Sequence, residues 1–231
     1  MCGRFTLTQP ADAIAQHFNL GQVPLFEPRY NVAPTQAVAV VRADLQQERQ
    51  LHWLQWGLVP SWSKDPKMGA RMINARAETL AEKPSFRQAF RRRRCLIPAD
   101  GFYEWHRSGK AKQPYYFFLD APAETPTLFA FAGLWEHWEN GNGDVIESCT
   151  IITTEPNETL QAFHDRMPVI LPPSTYDRWL DPTEQTEHLQ SLLQPYAAST
   201  MGYYPVSTTV NNPRQADRSC IQPLERSPLT P

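Results

Sequence analysis

The sequence predicts an α+β fold: a mostly antiparallel, barrel-like β-sheet with short helices packed at its edges. Three observations carry this. Five strand-like apolar runs follow one another between residues 95 and 153. Prolines outnumber glycines, 22 to 10, which favours rigid loops between short strands over long helices. No linker, repeat or low-complexity stretch divides the 231 residues, so a single domain over 1–223 is expected, with a flexible tail over 224–231.

The elements follow in order. Residues 10–20 read as a short helix with Ala11, Ile14 and Phe18 on one face and Gly21 as its stop. Residues 30–34 form a loop into a strand over 37–42, and an aromatic strand over 53–59 ends at Pro60. A loop rich in charge and glycine spans 61–71. Ser85 is the expected N-cap of a helix that buries Phe86, Ala89 and Phe90 and ends in the solvated cations Arg91 to Arg94. Strands are expected over 95–98, 102–105, 115–119, 128–135 and 148–153, with Asn140-Gly141-Asn142-Gly143 as a hairpin turn between the last two. Asn157 would cap a short helix bearing Leu160 and Phe163, leaving His164 at or just past its end. Ser174-x-x-Asp177 resembles a capping box for a helix over 176–180. Residues 183–193 look amphipathic, with Leu189, Leu192 and Leu193 inward, and a last strand covers 203–208.

Composition narrows the function class. Hydrophobic content of 41% and charged content of 20% are those of a soluble globular protein. A net charge of −2 gives no overall field that attracts nucleic acid, so a polyanion would need a local basic groove. The four cysteines (Cys2, Cys95, Cys149 and Cys220) show no CxxC and no histidine pair at metal spacing. Neither a signal peptide nor a membrane-spanning run is apparent. A reduced, cytoplasmic, monomeric protein with no metal and no cofactor is expected, with Cys95 and Cys149 as buried small hydrophobes.

Cys2 is different. Once Met1 is removed, it carries an α-amine and a thiol on adjacent carbons. Such an aminothiol condenses with an aldehyde: the amine forms an imine, and sulfur closes a five-membered thiazolidine. The α-amine titrates at about 7.7–8.0, so part of it is neutral at physiological pH, unlike lysine at about 10.4. Ring closure is intramolecular and gains a large effective concentration. A frayed, meaningless terminus is the other reading of the same position.

Three later segments gather polar groups. Asn74, Arg76 and Glu78 lie within one short run. Glu104 stands between Tyr103 and Trp105, where desolvation raises a carboxyl pKa. His164 is followed by Asp165 and Arg166. Taken singly, Asn74 also fits a strand hydrogen-bonder, Glu104 a salt-bridge partner and His164 a helix C-cap.

Together these residues resemble the SOS-response-associated peptidase (SRAP) family of abasic-site processing proteins. The resemblance rests on Met1-Cys2-Gly3-Arg4, Tyr30-Asn31-Val32-Ala33-Pro34, Trp56-Gly57-Leu58-Val59-Pro60-x-Trp62, Asn74-Ala75-Arg76-x-Glu78-Thr79, Gly101-Phe102-Tyr103-Glu104-Trp105, Lys112-Gln113-Pro114-Tyr115, Ala132-Gly133-Leu134-Trp135 and His164-Asp165-Arg166-Met167-Pro168-Val169. These stand in one order along nearly the whole chain. The resemblance implies the SRAP fold and a covalent crosslink to abasic sites in single-stranded DNA. In that reading Cys2 is the nucleophile, Asn74 holds the opened sugar, Glu104 is general acid and base, and His164 assists ring opening. Arg4, Arg76 and Arg166 would contact phosphates, and Trp62 and Pro34 would stack on flanking bases, with core packing the alternative for Trp62. Two rival classes remain: a thiol peptidase built on Cys2 that removes its own Met1, and a single-strand binding module with no covalent chemistry.

Overall fold

A closed ring of strands and an open sheet beside it make up the molecule. The computed structural model describes residues 2–44, 46–109, 111–120 and 127–224. In chain order the strands are β1 (Phe5–Leu7), β2 (Arg29–Val32), β3 (Ala37–Ala43), β4 (Arg49–Trp56), β5 (Asn74–Arg76), β6 (Arg94–Ala99), β7 (Gly101–Ser108), β8 (Ala111–Leu119), β9 (Phe129–Glu139), β10 (Val145–Thr154), β11 (Met167–Pro168), β12 (Ile170–Leu171) and β13 (Met201–Pro205). Strands β10, β4, β3, β6 and β9 pair in turn, and β9 pairs back onto β10 to close a barrel. The second sheet runs β13-β8-β7-β1-β2 and is antiparallel throughout. The α+β, mostly antiparallel, barrel-like architecture matches the expectation, with β10 taking β4 and β5 as parallel neighbours. Among the described residues four short α-helices flank it: α1 (Ala11–Phe18), α2 (Arg87–Arg92), α3 (Tyr176–Leu180) and α4 (Thr186–Gln190).

The barrel strands bury both faces, and their side-chain period shows how. On β3, Val38 and Val40 join one apolar cluster while Ala39 and Val41 join another. On β6, Cys95 and Ile97 go one way and Leu96 the other. The first cluster links the barrel to β1 and β7 through Phe5, Trp56, Phe102 and Phe131. The second takes the helices, through Ile14, Phe18, Phe90 and Trp179. Such double burial gives continuous apolar runs rather than alternation.

One loop decides where the chemistry falls. Strand β4 stops at Trp56, and the chain leaves β10, then returns at Asn74 to pair further along the same strand. Gly57 makes this possible. Its φ of 130° suits glycine, and a Cβ there would lie 2.6 Å from the Gly69 carbonyl oxygen, where the loop crosses itself.

Several local expectations are corrected. Helix α1 ends at Asn19, which takes the left-handed conformation (φ 52°, ψ 58°), rather than at Gly21. Residues 30–32 belong to β2, which pairs with β1, and are not loop. The strand predicted over 53–59 starts at Arg49 and ends at Trp56. Ser85 caps nothing: the N-cap of α2 is Phe86, and that of α3 is Thr175 rather than Ser174, neither with a side-chain cap bond. Asn157 does receive the Leu160 N–H at 2.9 Å, but residues 158–163 stay in turns instead of a helix. The amphipathic run over 183–193 forms only the short α4, with Leu189 and Leu193 buried. The last strand is Met201–Pro205 rather than 203–208. Arg94 is not a solvated helix end. It is 4% exposed, opens β6, and donates to the carbonyls of Phe90, Arg91 and Trp179 at 2.7 Å. Burial lowers its pKa to about 10. Leu224, expected in the tail, donates its N–H to Pro205 O at 2.9 Å. Residues 225–231 and Met1 lie outside the described residues. Among those described, no helix is long and apolar enough to cross a membrane.

Candidate active site

The position of Cys2 is fixed from behind by β1. Buried Asp100 accepts hydrogen bonds from the Thr6 hydroxyl, from Thr8 Oγ1 at 2.7 Å and from the Gln9 N–H at 3.1 Å. Phe5 pairs with Phe102 on β7, and Tyr103 donates its N–H to Arg4 O at 3.0 Å. Arg4 itself is tied down: its guanidinium donates to Asn31 Oδ1 at 2.7 Å, to Val210 O and to Asn211 O at 3.2 Å. Asn31 reaches back through Nδ2 to Gln215 O at 2.7 Å and Asn212 O at 3.1 Å. The segment after β13 thus clasps the first residues of the chain.

Two strands, β5 and β7, then converge on Cys2. Asn74, at the start of β5, donates from Nδ2 to Cys2 O at 2.8 Å. Its Oδ1 is buried and accepts no hydrogen bond among the described residues. Glu104, on β7, is 3% exposed. Burial raises its carboxyl to about 7, against the pull of the amino-terminal charge and the Trp105 backbone N–H. That is the direction its aromatic flanks predict. The Cys2 thiol is fully buried, and its pKa is pushed well up, first by desolvation and then by the negative charge of Glu104. The thiol reaches Arg4 O only at the long distance of 3.9 Å.

His164 follows the turns of 158–163 and shares a cavity of about 690 Å³ with Glu104. Its Nδ1 lies 2.6 Å from Asp165 Oδ1 and 3.0 Å from the Arg166 N–H. The two contacts are alternatives, since Nδ1–H donates to the carboxylate whereas bare Nδ1 accepts from the amide. Burial lowers the imidazole pKa, the amino-terminal charge adds to this, and Asp165 opposes it. A neutral ring at neutral pH follows, able to take or give one proton.

The residues expected to touch a polyanion fare unequally. Arg76 is exposed and its guanidinium makes no hydrogen bond among the described residues. Arg166 is committed to a bidentate pair with Glu78 (2.8 and 2.9 Å) and to Thr153 O at 2.6 Å. Arg4 is spent on the clasp. Trp62 is 56% exposed, which removes the core-packing alternative, and Pro34 is half-buried. Sequence reasoning missed Arg107 as a site residue, and it named Lys112 only within a motif; both line the cavity with Trp105 and Asn211. The signal was available in the strand spacing: once Glu104 is placed on a hairpin, Arg107 and Lys112 face each other across it. Among the described residues no cluster of three or more His, Cys, Asp or Glu is arranged to hold a metal ion.

A family model described as SOS response associated peptidase (SRAP) matches residues 1–213. The chain belongs to this family. Among the relatives of the SRAP chain, the abasic site processing protein YoqW of Bacillus subtilis (strain 168) is 48% identical over 227 residues, covering 96% of this chain and 99% of its own. The abasic site processing protein HMCES of Xenopus tropicalis is 34% identical over 263 residues, covering 96% of this chain and 78% of its own. A crystal structure of a Bacteroides thetaiotaomicron protein matches the SRAP chain with a TM-score of 0.85 at 26% identity, over 96% of this chain and 100% of the other.

Proposed function

We infer that this SRAP protein processes abasic sites in DNA, and that it does so by linking Cys2 covalently to the lesion in a single strand. The observation that carries the reading is the convergence of Asn74 and Glu104 on Cys2, with His164 in the cavity Glu104 lines. The names of relatives such as YoqW and HMCES support the substrate class.

The chemistry follows from the geometry and the pKa order. Burial leaves the thiol protonated, so the α-amine of Cys2, exposed by loss of Met1, attacks first. It adds to C1′ of the open-chain deoxyribose, and the carbinolamine loses water to give an imine. The thiol then adds to the imine carbon, its proton ending on nitrogen, and the thiazolidine closes. One water leaves overall. Glu104, with a pKa of about 7, is suited to take the proton from the amine or thiol and return it to the departing oxygen. Asn74 Oδ1, which accepts nothing among the described residues, is an acceptor for the sugar or the amine. Neutral His164 opens the cyclic sugar by proton transfer. Closing the ring also removes the imine as an electron sink, which would otherwise promote β-elimination and strand cleavage. Lyase activity is therefore the leak in this mechanism.

A thiol peptidase needs a thiolate generated beside an imidazolium, and the raised pKa of Cys2 speaks against it. A purely non-covalent binding module gives no reason to bury an acid against an aminothiol. Removal of Met1 by the protein itself or by an aminopeptidase fits the same site.

The test is incubation with a uracil-containing single strand treated with uracil glycosylase, followed by denaturing electrophoresis. Wild type yields a slow-migrating adduct. Cys2→Ser loses it while some nicking remains. Equal adduct from Cys2→Ser, or no adduct from wild type, contradicts the reading.

A further inference from the structure

The cavity at Glu104 and His164 extends well beyond the reacting groups. At about 690 Å³ it falls in the range of about 300–1,000 Å³ that takes a drug-sized ligand, more than one five-carbon sugar requires. Its outer wall is the β7–β8 hairpin, where Arg107 and Lys112 stand directly opposite each other in the antiparallel register. Like charges in that arrangement repel. Among the described residues neither side chain has an ion pair or hydrogen bond to relieve the repulsion. The acids nearby are otherwise engaged: Glu104 is buried at Cys2, and Asp165 lies 2.6 Å from His164 Nδ1. The charge of Arg107 is felt at His164, where it helps lower the imidazole pKa. Arg107 therefore lies within electrostatic reach of His164.

We propose that Arg107 and Lys112 form an anion subsite that grips a backbone phosphate adjoining the abasic sugar. This rests on the crosslinking reading and adds the part of the substrate it leaves unassigned. Glu104 and Arg107 are three residues apart on β7, about 10 Å along the strand. The odd spacing turns their side chains to opposite faces, yet both line the one cavity, so the phosphate held is one close to the lesion. The subsite divides the work in the cavity. Glu104 and His164 act on the sugar, and the hairpin cations hold the strand so that the sugar cannot drift from Cys2. Trp105, fixed by its Nε1–H to Asn211 Oδ1 at 2.7 Å, forms the surface between the two.

Arg107 and Lys112 are both exposed, so their replacement is compatible with folding, which a thermal melt checks. The experiment compares wild type, the double variant Arg107→Ala with Lys112→Ala, and Lys112→Arg. Fluorescence anisotropy across a salt series measures binding of an undamaged single strand. Adduct formation is followed separately with the abasic strand and with free 2-deoxyribose, which carries no phosphate. The double variant is expected to bind roughly tenfold more weakly at low salt, with a log–log salt slope shallower by about 0.7 for each phosphate it no longer neutralises. It should also crosslink the strand more slowly yet react with 2-deoxyribose as fast as wild type. Lys112→Arg should keep the wild-type slope. Unchanged affinity and slope in the double variant overturn the subsite while leaving the crosslinking chemistry standing. Equal slowing toward 2-deoxyribose, or a Lys112→Arg variant as impaired as the double alanine, also overturns it, because the hairpin would then act through structure rather than charge. If wild type forms no adduct with either aldehyde, the crosslinking reading fails, and the salt slopes still decide the subsite.

Discussion

Cys2 and the barrel cysteines Cys95 and Cys149 are alike in burial and unlike in company. All three are wholly buried and reduced, and desolvation pushes each thiol pKa upward. Around Cys95 the neighbours are apolar: Ile97, Gly133 and the barrel interior. Around Cys2 stand a carboxyl whose pKa burial raises to about 7 and an amide whose buried oxygen accepts nothing among the described residues. Burial alone therefore does not distinguish the cysteine proposed as nucleophile. What sets Cys2 apart is its place beside the amino terminus and beside groups that can move a proton.

The strongest way to break this comparison is to exchange the two environments' roles. Cys2→Ala should abolish the stable adduct, whereas Cys95→Ala should leave its yield near that of wild type on a denaturing gel. Loss of adduct from the Cys95 variant at a temperature where it remains folded would erase the distinction.

Next in size is the acid. Glu104→Gln should slow adduct formation by roughly 10²–10⁴-fold. The wild-type rate should climb as pH rises through about 7, where Glu104 ionises. In the variant that inflection should vanish, leaving the one from the α-amine at about 7.7–8.0. Stability should move the other way. Folding raises this carboxyl from 4.5 to about 7, so the stability of the neutral acid is fully present below about 4.5 and lost as pH rises through about 7. The loss is on the order of 3 kcal/mol. Glu104→Gln should then melt higher than wild type at pH 8 and close to it at pH 4.5, as read by circular dichroism.

The barrel side is sharpened by Cys149→Ser. It places a hydroxyl in an apolar interior and should cost about 1–3 kcal/mol in denaturant unfolding, with adduct yield preserved under native conditions. Smallest is the contrast between two arginines. Arg76→Ala should weaken single-strand binding and flatten its salt dependence by about 0.7 in log–log slope, and Arg92→Ala should do neither. If only the Arg92 variant weakens binding, the groove lies elsewhere.

Much of this was legible in the chain, and the reasons are physical. Runs rich in apolar and β-branched residues, such as 37–42 and 148–153, read as strands, and Asn140-Gly141-Asn142-Gly143 reads as a turn, where Gly143 donates its N–H to Asn140 O at 3.2 Å. That Cys2, Asn74 and Glu104 meet was not derivable from spacing, because 72 residues separate Asn74 from Cys2; the family resemblance supplied it. Other features hid behind distant partners. Arg94 looks like a solvated helix end until Trp179, 85 residues on, offers its carbonyl. Arg4 looks like a phosphate ligand until Asn31 and the chain near Val210 enclose it. Residues 30–32, expected as loop, are strand because they pair antiparallel with β1, while 33–34 stay outside it. Local propensity reads what neighbours along the chain dictate, and it misses groups satisfied by long-range contacts.

The most direct measurement is mass spectrometry of the adduct formed with an abasic oligonucleotide. The account predicts a species whose mass is that of the protein without Met1 plus the oligonucleotide minus one water, with the modification mapped to the peptide that begins at Cys2. An adduct on a lysine or on Cys95, or one that retains Met1 ahead of Cys2, would contradict it.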